Sequence, residues 1–444
     1  MSGYRTLHRH TEHDDDAVSS NNESSITAST LIPVFAVTFS PCQQTHVNTR
    51  SAANPNAKPP TRLLTTSADG LIRSYKITDK SIKADVLDAA ALSMELDQIM
   101  LTSSNALYPK SKEESILGLG CAALSVVRNY VGEDPSAGDE VAASMRLDGH
   151  VAIWKRGEQP SYPDSKAETK NEDGTLAVVK PDAELDIKGI TGTTMMLLSP
   201  KSTGFSRHGI VMMVGMLDGS VSFICIGIGI PDSRKCNDTS KYSEQGTILD
   251  NIGSGNSIPL SLAVHPLHHL TFAVGRKDGT IDIYSAGNGN AGGSIGGSIG
   301  GDDLYGHIRR CHHLIQHAGN PVRALSFTPD GSLLISGCDD GHIYIHDTSS
   351  FKQNDSIRMV AAIHNAHRGY ILSVDVLPDS ERFVTSSVDK TVKVWNVGTP
   401  NNGPVHSFDT GHENMIWDVS CSADGRRCVS CSDDGFVQVY SCEE

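Results

Sequence analysis

The sequence predicts an all-β fold in which seven small antiparallel sheets close into a ring. Three observations predict it. A short phrase recurs seven times, each copy alternates apolar and polar residues with the period of a strand, and turn-forming residues bound the alternating segments. The phrase is Asp, usually Gly, a variable residue, an apolar one, a variable one, an apolar one, then an aromatic or its substitute. Its copies run from Asp69 to Tyr75, Asp148 to Trp154, Asp218 to Ile224, Asp278 to Tyr284, Asp340 to His346, Asp389 to Trp395 and Asp434 to Tyr440. Successive Asp residues are 79, 70, 60, 62, 49 and 45 positions apart. The last two steps approach the ~40–45 residues of one four-stranded repeat unit, and the earlier steps are that period plus insertions.

Each unit can be justified strand by strand. In Thr391-Val392-Lys393-Val394-Trp395 the apolar residues alternate with Lys, as on a half-buried strand. The Asp-Gly or Asp-Lys before it is turn chemistry, because Gly accepts positive φ and Asp bonds its own backbone. Upstream lies a second strand, as in Arg382-Phe383-Val384-Thr385-Ser386, and before that a third, as in Tyr370 to Val376. These two are joined by turns such as Thr328-Pro329-Asp330-Gly331, Leu377-Pro378-Asp379 and Ser422-Ala423-Asp424-Gly425. The fourth strand is variable. The chain ends four residues after Tyr440, which leaves the seventh unit one strand short. An open edge there invites aggregation. Residues 3–10 are predicted to fill it by pairing with 436–440, with His13-Asp14 opening the first unit.

On this reading residues 1–444 are one domain, with units near 14–77, 114–156, 190–226, 257–286, 317–348, 367–398 and 412–442. The segments 43–60, 156–184, 231–257 and 286–303 are polar, charged or Gly-rich and are expected to be flexible insertions.

Composition narrows the function. Of 444 residues 38% are hydrophobic and 41 are Gly, enough for a sizeable core. Asp plus Glu number 52 against 37 Lys plus Arg, a net charge of −15, so no basic footprint for nucleic acid is expected. No run of ~18 apolar residues exists, so no membrane span is predicted. The N-terminal stretch lacks the apolar core of a secretory leader. The ten Cys are therefore expected to be free thiols in a cytoplasmic and/or nuclear protein.

Motifs with chemical associations have plainer readings. Gly287 to Gly292 fits GxGxxG, but Gly-Ser-Ile repeats follow it instead of the helix that a dinucleotide site needs. Cys428 and Cys431 form a CxxC on a strand, where positions i and i+3 face opposite sides and do not share a metal. Cys311-His312-His313 with His307 and His317 is a weak metal candidate, because His317 has a structural role below. No catalytic constellation is readable, and no cofactor, metal or enzymatic activity is expected. The sequons at Asn22, Asn237 and Asn354 are read as unmodified.

The repeat resembles the WD-repeat β-propeller family over nearly the whole chain. The resemblance implies a hydrogen-bonded tetrad of His, Ser or Thr, Asp and Trp within a blade. Blade six supplies His367, Ser386 or Ser387, Asp389 and Trp395; blade seven supplies His412 and Asp434, with Tyr440 for Trp; blade five supplies His317 and Asp340, with His346 for Trp. It also places the residue after the first apolar position of each innermost strand on the top rim: Phe35, Leu117, Thr194, Leu260, Arg323, Leu372 and Trp417. The residue before each turn Asp faces up as well: Ala68, Leu147, Leu217, Lys277, Asp339, Val388 and Asp433. An apolar ring of this kind either marks a protein partner or packs inward as core.

The opening Tyr4…Leu7…His13-Asp14-Asp15-Asp16-Ala17, the stretches 320–330 and 386–398, and the tail 437–442 resemble WD-repeat subunits of the superkiller (Ski) complex, also found in the polymerase-associated factor (Paf) complex. The resemblance implies a non-catalytic scaffold that binds a tetratricopeptide-repeat subunit and an RNA helicase complex and assists 3′-to-5′ RNA decay by the exosome. It further implies top-face docking of a Gln-Arg peptide, with Tyr370, Leu372 and Trp417 taking its apolar part and Asp339, Asp418 or Asp433 its Arg. The alternative is another WD-repeat adaptor, such as a substrate receptor of a ubiquitin ligase.

Overall fold

The computed structural model describes residues 5–11, 32–39, 61–79, 92–103, 121–130, 138–156, 177–198, 210–226, 246–253, 257–268, 271–286, 308–315, 317, 319–349, 357–409 and 411–442. Their strands form seven sheets, six antiparallel ones of four strands and one of five whose outermost pair is parallel. The inner strands are Val34–Phe39, Cys121–Tyr130, Ile190–Leu198, Pro259–Val264, Val322–Phe327, Ile371–Val376 and Ile416–Cys421. They neighbour one another in chain order, and the seventh lies against the first. The protein is a seven-bladed β-propeller.

The recurring turns behave as their chemistry demands. In all seven, the turn Asp carboxylate accepts the backbone N–H two residues on, from Leu71, His150, Ser220, Thr280, His342, Thr391 and Phe436, at 2.9–3.1 Å. The residue after it takes a φ of 71–93°, a conformation Gly adopts without steric cost and Lys390 adopts against it.

Closure is by the first strand. Arg5–Thr11 pairs antiparallel with Phe436–Ser441, from Arg5↔Ser441 to Thr11↔Phe436, and completes the seventh blade. The pairing covers that outer edge, with one register shift between Thr6 and His8.

Two segments expected to be flexible contain strands. Residues 156–184 carry Ala177–Val179, which pairs in parallel with Leu92–Leu101 at the outer edge of blade one, and lead into Ala183–Asp186, the outer strand of blade two. Residues 231–257 carry Ile248–Ile252, the outer strand of blade three. In each case a short segment pairs with an open edge, and its ladder bonds offset part of the entropy of ordering it. The expected insertions at 43–60 and 286–303 lie outside the described residues, apart from Ala286 at a strand end.

The core is distributed between blades. Val384, Val392, Val394 and Phe408 of blade six pack on Ile416, Val419, Cys428 and Tyr440 of blade seven. Cys431, Val437 and Val439 pack on Val34, Val37 and Leu63 of blade one. Cys428 and Cys431 thus serve opposite faces of one sheet, and both are free thiols. Each such side chain contributes roughly 1.5–3 kcal/mol on burial, so removing one blade strips the faces of two neighbours.

Side chains on the inner strands also stitch blades together. Asp375 accepts the Cys421 N–H at 2.7 Å, Asp418 accepts the Val37 N–H at 3.0 Å, and Ser125 accepts the Leu197 N–H at 3.0 Å. Burial pushes Asp375 up to about 7 and Asp418 up to about 6.

Candidate functional site

One device recurs on the inner strands. Each inner strand breaks register with the second strand of its blade near its start: between Val34 and Ala36, Cys121 and Ala123, Ile190 and Met195, Pro259 and Ser261, Val322 and Ala324, Ile371 and Ser373, and Ile416 and Asp418. A bulge frees one residue from the ladder and re-aims its side chain. The freed residues are Phe35, Ala122, Leu260, Arg323, Leu372 and Trp417, with residues 191–194 in blade three. In blade two the register break falls at position 122, and Leu117 lies outside the described residues. Thr194 is buried.

The freed residues gather unevenly. Phe35 and Trp417 meet edge to face with ring centroids 5.6 Å apart. The Trp417 indole N–H donates to Asp433 at 3.4 Å, and Asn414 holds the other Asp433 oxygen at 2.9 Å. Arg323 grips Asp339 with two hydrogen bonds, 2.6 and 3.0 Å, and its guanidinium carbon lies 5.9 Å from the Tyr370 ring centroid. Tyr370 is 49% exposed, and Leu147 and Leu217, each just before a turn Asp, are 52% and 56% exposed. Phe35, Leu260, Leu372 and Trp417 are half-buried. From blade five to blade one these positions therefore bring aromatic faces, one guanidinium and two carboxylates whose hydrogen bonds fix their orientation.

Asp418 does not join them. Its two oxygens accept the backbone N–H groups of Val37 and Val419, so it serves the blade seven–blade one joint. Trp417 is the bulged residue, and the next position turns back into the ladder.

The tetrads need one correction. In blade six the hydroxyl between His367 and Trp395 is Thr385, not Ser387. His367 Nδ1 lies 3.0 Å from Asp389, His367 Nε2 lies 2.7 Å from Thr385 Oγ1, and the Trp395 N–H donates to Thr385 at 2.9 Å. Trp395 sits directly opposite Phe383, and its indole reaches diagonally to Thr385, two positions along. Ser387 instead accepts the Asp389 N–H at 3.0 Å. Blade seven repeats the pattern four residues before its Asp: His412 bonds Asp434 at 3.0 Å and Ser430 at 2.7 Å, and Ser430 bonds Tyr440 at 2.9 Å. Burial keeps His367 neutral, so Nδ1–H donates to Asp389 and Nε2 accepts from Thr385. Burial opposes ionisation of Asp389, but the bonds from His367, Thr391 and Arg368 outweigh it and hold its carboxyl well below the usual range.

Blades one and four use a buried arginine that sequence reasoning missed. Arg73 bonds Asp69 at 2.8 Å, and Arg276 bonds Asp282 at 2.6 Å and the Tyr284 hydroxyl at 3.1 Å. The available signal was an Arg inside the strand alternation, four residues after the turn Asp in blade one and two before it in blade four.

Residues 308–347, 360–396 and 402–441 match the model of the WD domain, G-beta repeat. Among curated relatives, the Non-functional target of rapamycin complex subunit LST8-2 of Arabidopsis thaliana is 31% identical over 25% of this chain and 35% of its own length. Striatin of Homo sapiens is 29% identical over 28% of this chain and 17% of its own, and Polyadenylation factor subunit 2 of Cryptococcus neoformans is 29% identical over 30% and 17%. The chain thus spans about a third or less of the length of these relatives. The matches support a WD-repeat family.

Proposed function

We propose that the chain is a non-catalytic WD-repeat adaptor that captures a protein partner on its top rim. The observation that carries this reading is the pairing of Phe35 with Trp417 and of Arg323 with Tyr370, with Asp433 and Asp339 held beside them. Aromatic and Arg side chains are the usual anchors of an interface, and half-buried rings lose little conformational freedom on binding. Relatives named as complex or factor subunits favour the same role.

The finer assignment rests on the resemblance of both chain ends and of residues 320–330 and 386–398 to WD-repeat subunits of the superkiller complex. On that reading the partner is a tetratricopeptide-repeat subunit carrying an RNA helicase complex, the pathway is exosome-mediated RNA decay in the cytoplasm, and a nuclear role in the Paf complex is a second use of the same rim. A partner Arg would pair with Asp339 or Asp433, and an apolar partner residue would lie against Trp417 and Leu372.

Affinity purification of the tagged full chain with mass spectrometry tests this. A tetratricopeptide-repeat protein recovered with a helicase supports the assignment. A cullin adaptor in their place transfers the chain to the ubiquitin-ligase adaptors. Trp417→Asp abolishes capture if the rim binds, and full retention defeats the site.

A further inference from the structure

Blade five departs from its neighbours in a way that hydrogen bonding alone does not explain. His317, Cys338 and Asp340 bring one imidazole nitrogen, one thiol sulfur and one carboxylate oxygen to within 4.8 Å of one another. His317 is 1% exposed and Cys338 fully buried. In blades six and seven the equivalent His binds its turn Asp through Nδ1, and the place of Cys338 is taken by Ser387 and Ser432. In blade five His317 Nε2 bonds Ser336 at 2.8 Å, but Nδ1 has no partner among the described residues. Asp340 is turned instead toward the Cys338 thiol, while Asn320 donates to it at 3.2 Å and the His342 N–H at 2.9 Å.

We propose that His317, Cys338 and Asp340 form a zinc site inside blade five, beyond the adaptor reading and independent of it. A mixed imidazole, thiolate and carboxylate set is zinc chemistry, since purely hard cations avoid sulfur and purely soft ones avoid carboxylate. Zinc–ligand bonds of about 2.0–2.3 Å put tetrahedral ligand atoms roughly 3.3–3.8 Å apart, so side-chain shifts of about 1 Å complete the site. With Nε2–H donated to Ser336, the lone pair of His317 sits on Nδ1 and is free for the metal. Ser336, Asn320 and His342 then act as outer partners that orient the imidazole and carboxylate. Water takes the fourth position. On binding, the thiol proton leaves to solvent and a zinc–thiolate bond replaces the S–H bond.

The test uses the purified full chain, stripped with chelator and reloaded with zinc, then with cobalt as a spectroscopic substitute. The expected result is one metal per chain and a thiolate-to-cobalt charge-transfer band in the near ultraviolet. Cys338→Ser loses the band and weakens zinc binding by more than the roughly 10–100-fold expected for loss of an outer partner. Cys311→Ser, which alters an exposed thiol, leaves both unchanged. Zinc also protects Cys338 from alkylation in the unmutated protein, a readout that does not depend on a variant folding. Zinc below about a tenth of an equivalent, a band that survives Cys338→Ser or disappears in Cys311→Ser, or equal alkylation with and without zinc overturns the site.

Discussion

Thr385 makes the sharpest test of how a blade is held. Its hydroxyl donates to His367 and accepts from Trp395, and both partners are 2% exposed. Thr385→Val keeps the shape and removes both bonds. The Trp395 N–H and the His367 nitrogen are then buried without partners, at about 1–3 kcal/mol each, or about 4 kcal/mol together. With an unfolding entropy of about 2.1 cal/mol/K per residue, the 444-residue chain has roughly 0.9 kcal/mol/K, so Tm falls by about 4 °C. Ser387→Ala removes one acceptor for a turn N–H, about 1 kcal/mol, and lowers Tm by about 1 °C. Thr385→Ser keeps the hydroxyl and stays near the parent protein. Calorimetry of the three variants at one pH and scan rate reads the order directly. Ser387→Ala costing as much as Thr385→Val, or Thr385→Ser as damaging as Thr385→Val, refutes the assignment of the bridging hydroxyl.

Deleting residues 1–12 removes the strand that pairs with Phe436–Ser441 and leaves that edge open. Tm should drop sharply and the protein should associate on size-exclusion chromatography; an unchanged monomer with unchanged Tm counts against closure. Trp417→Asp removes an anchor worth at least ~2 kcal/mol, about 30-fold in Kd, measured by titration with the captured partner. Burial raises Asp375 to about 7 against an ordinary 3.8, so folded protein keeps a proton that the unfolded chain loses between about pH 4 and pH 7. This contribution is fully present near pH 4 and is lost as pH rises through about 7. Asp375→Asn removes it, so the variant gains on the parent between pH 5 and pH 8; a difference in Tm that does not change with pH sinks this reading.

The sequence by itself determined the ring. Seven Asp turns followed by alternating strands specify local geometry through short-range chemistry, because a carboxylate caps the N–H two residues on and the next residue tolerates positive φ. The alternation at Phe436–Ser441 called for a partner on its outer edge, because a sheet edge has to be paired, and Arg5–Thr11 supplies it. The bulge positions at Phe35, Leu260, Arg323, Leu372 and Trp417 were legible as register, since the bulge recurs at one offset. The remaining features depended on tertiary structure. Which hydroxyl meets Trp395 depends on a diagonal contact across two strands, and so Thr385 displaced Ser387. Whether Asp418 faces a ligand or a neighbouring blade depends on where the bulge ends. Residues 177–179 and 248–252 became strands because open edges lay beside them, a condition that no local pattern contains. The meeting of His317, Cys338 and Asp340 is of the same kind: three positions in a loop, a strand and a turn become one site only when the blade folds.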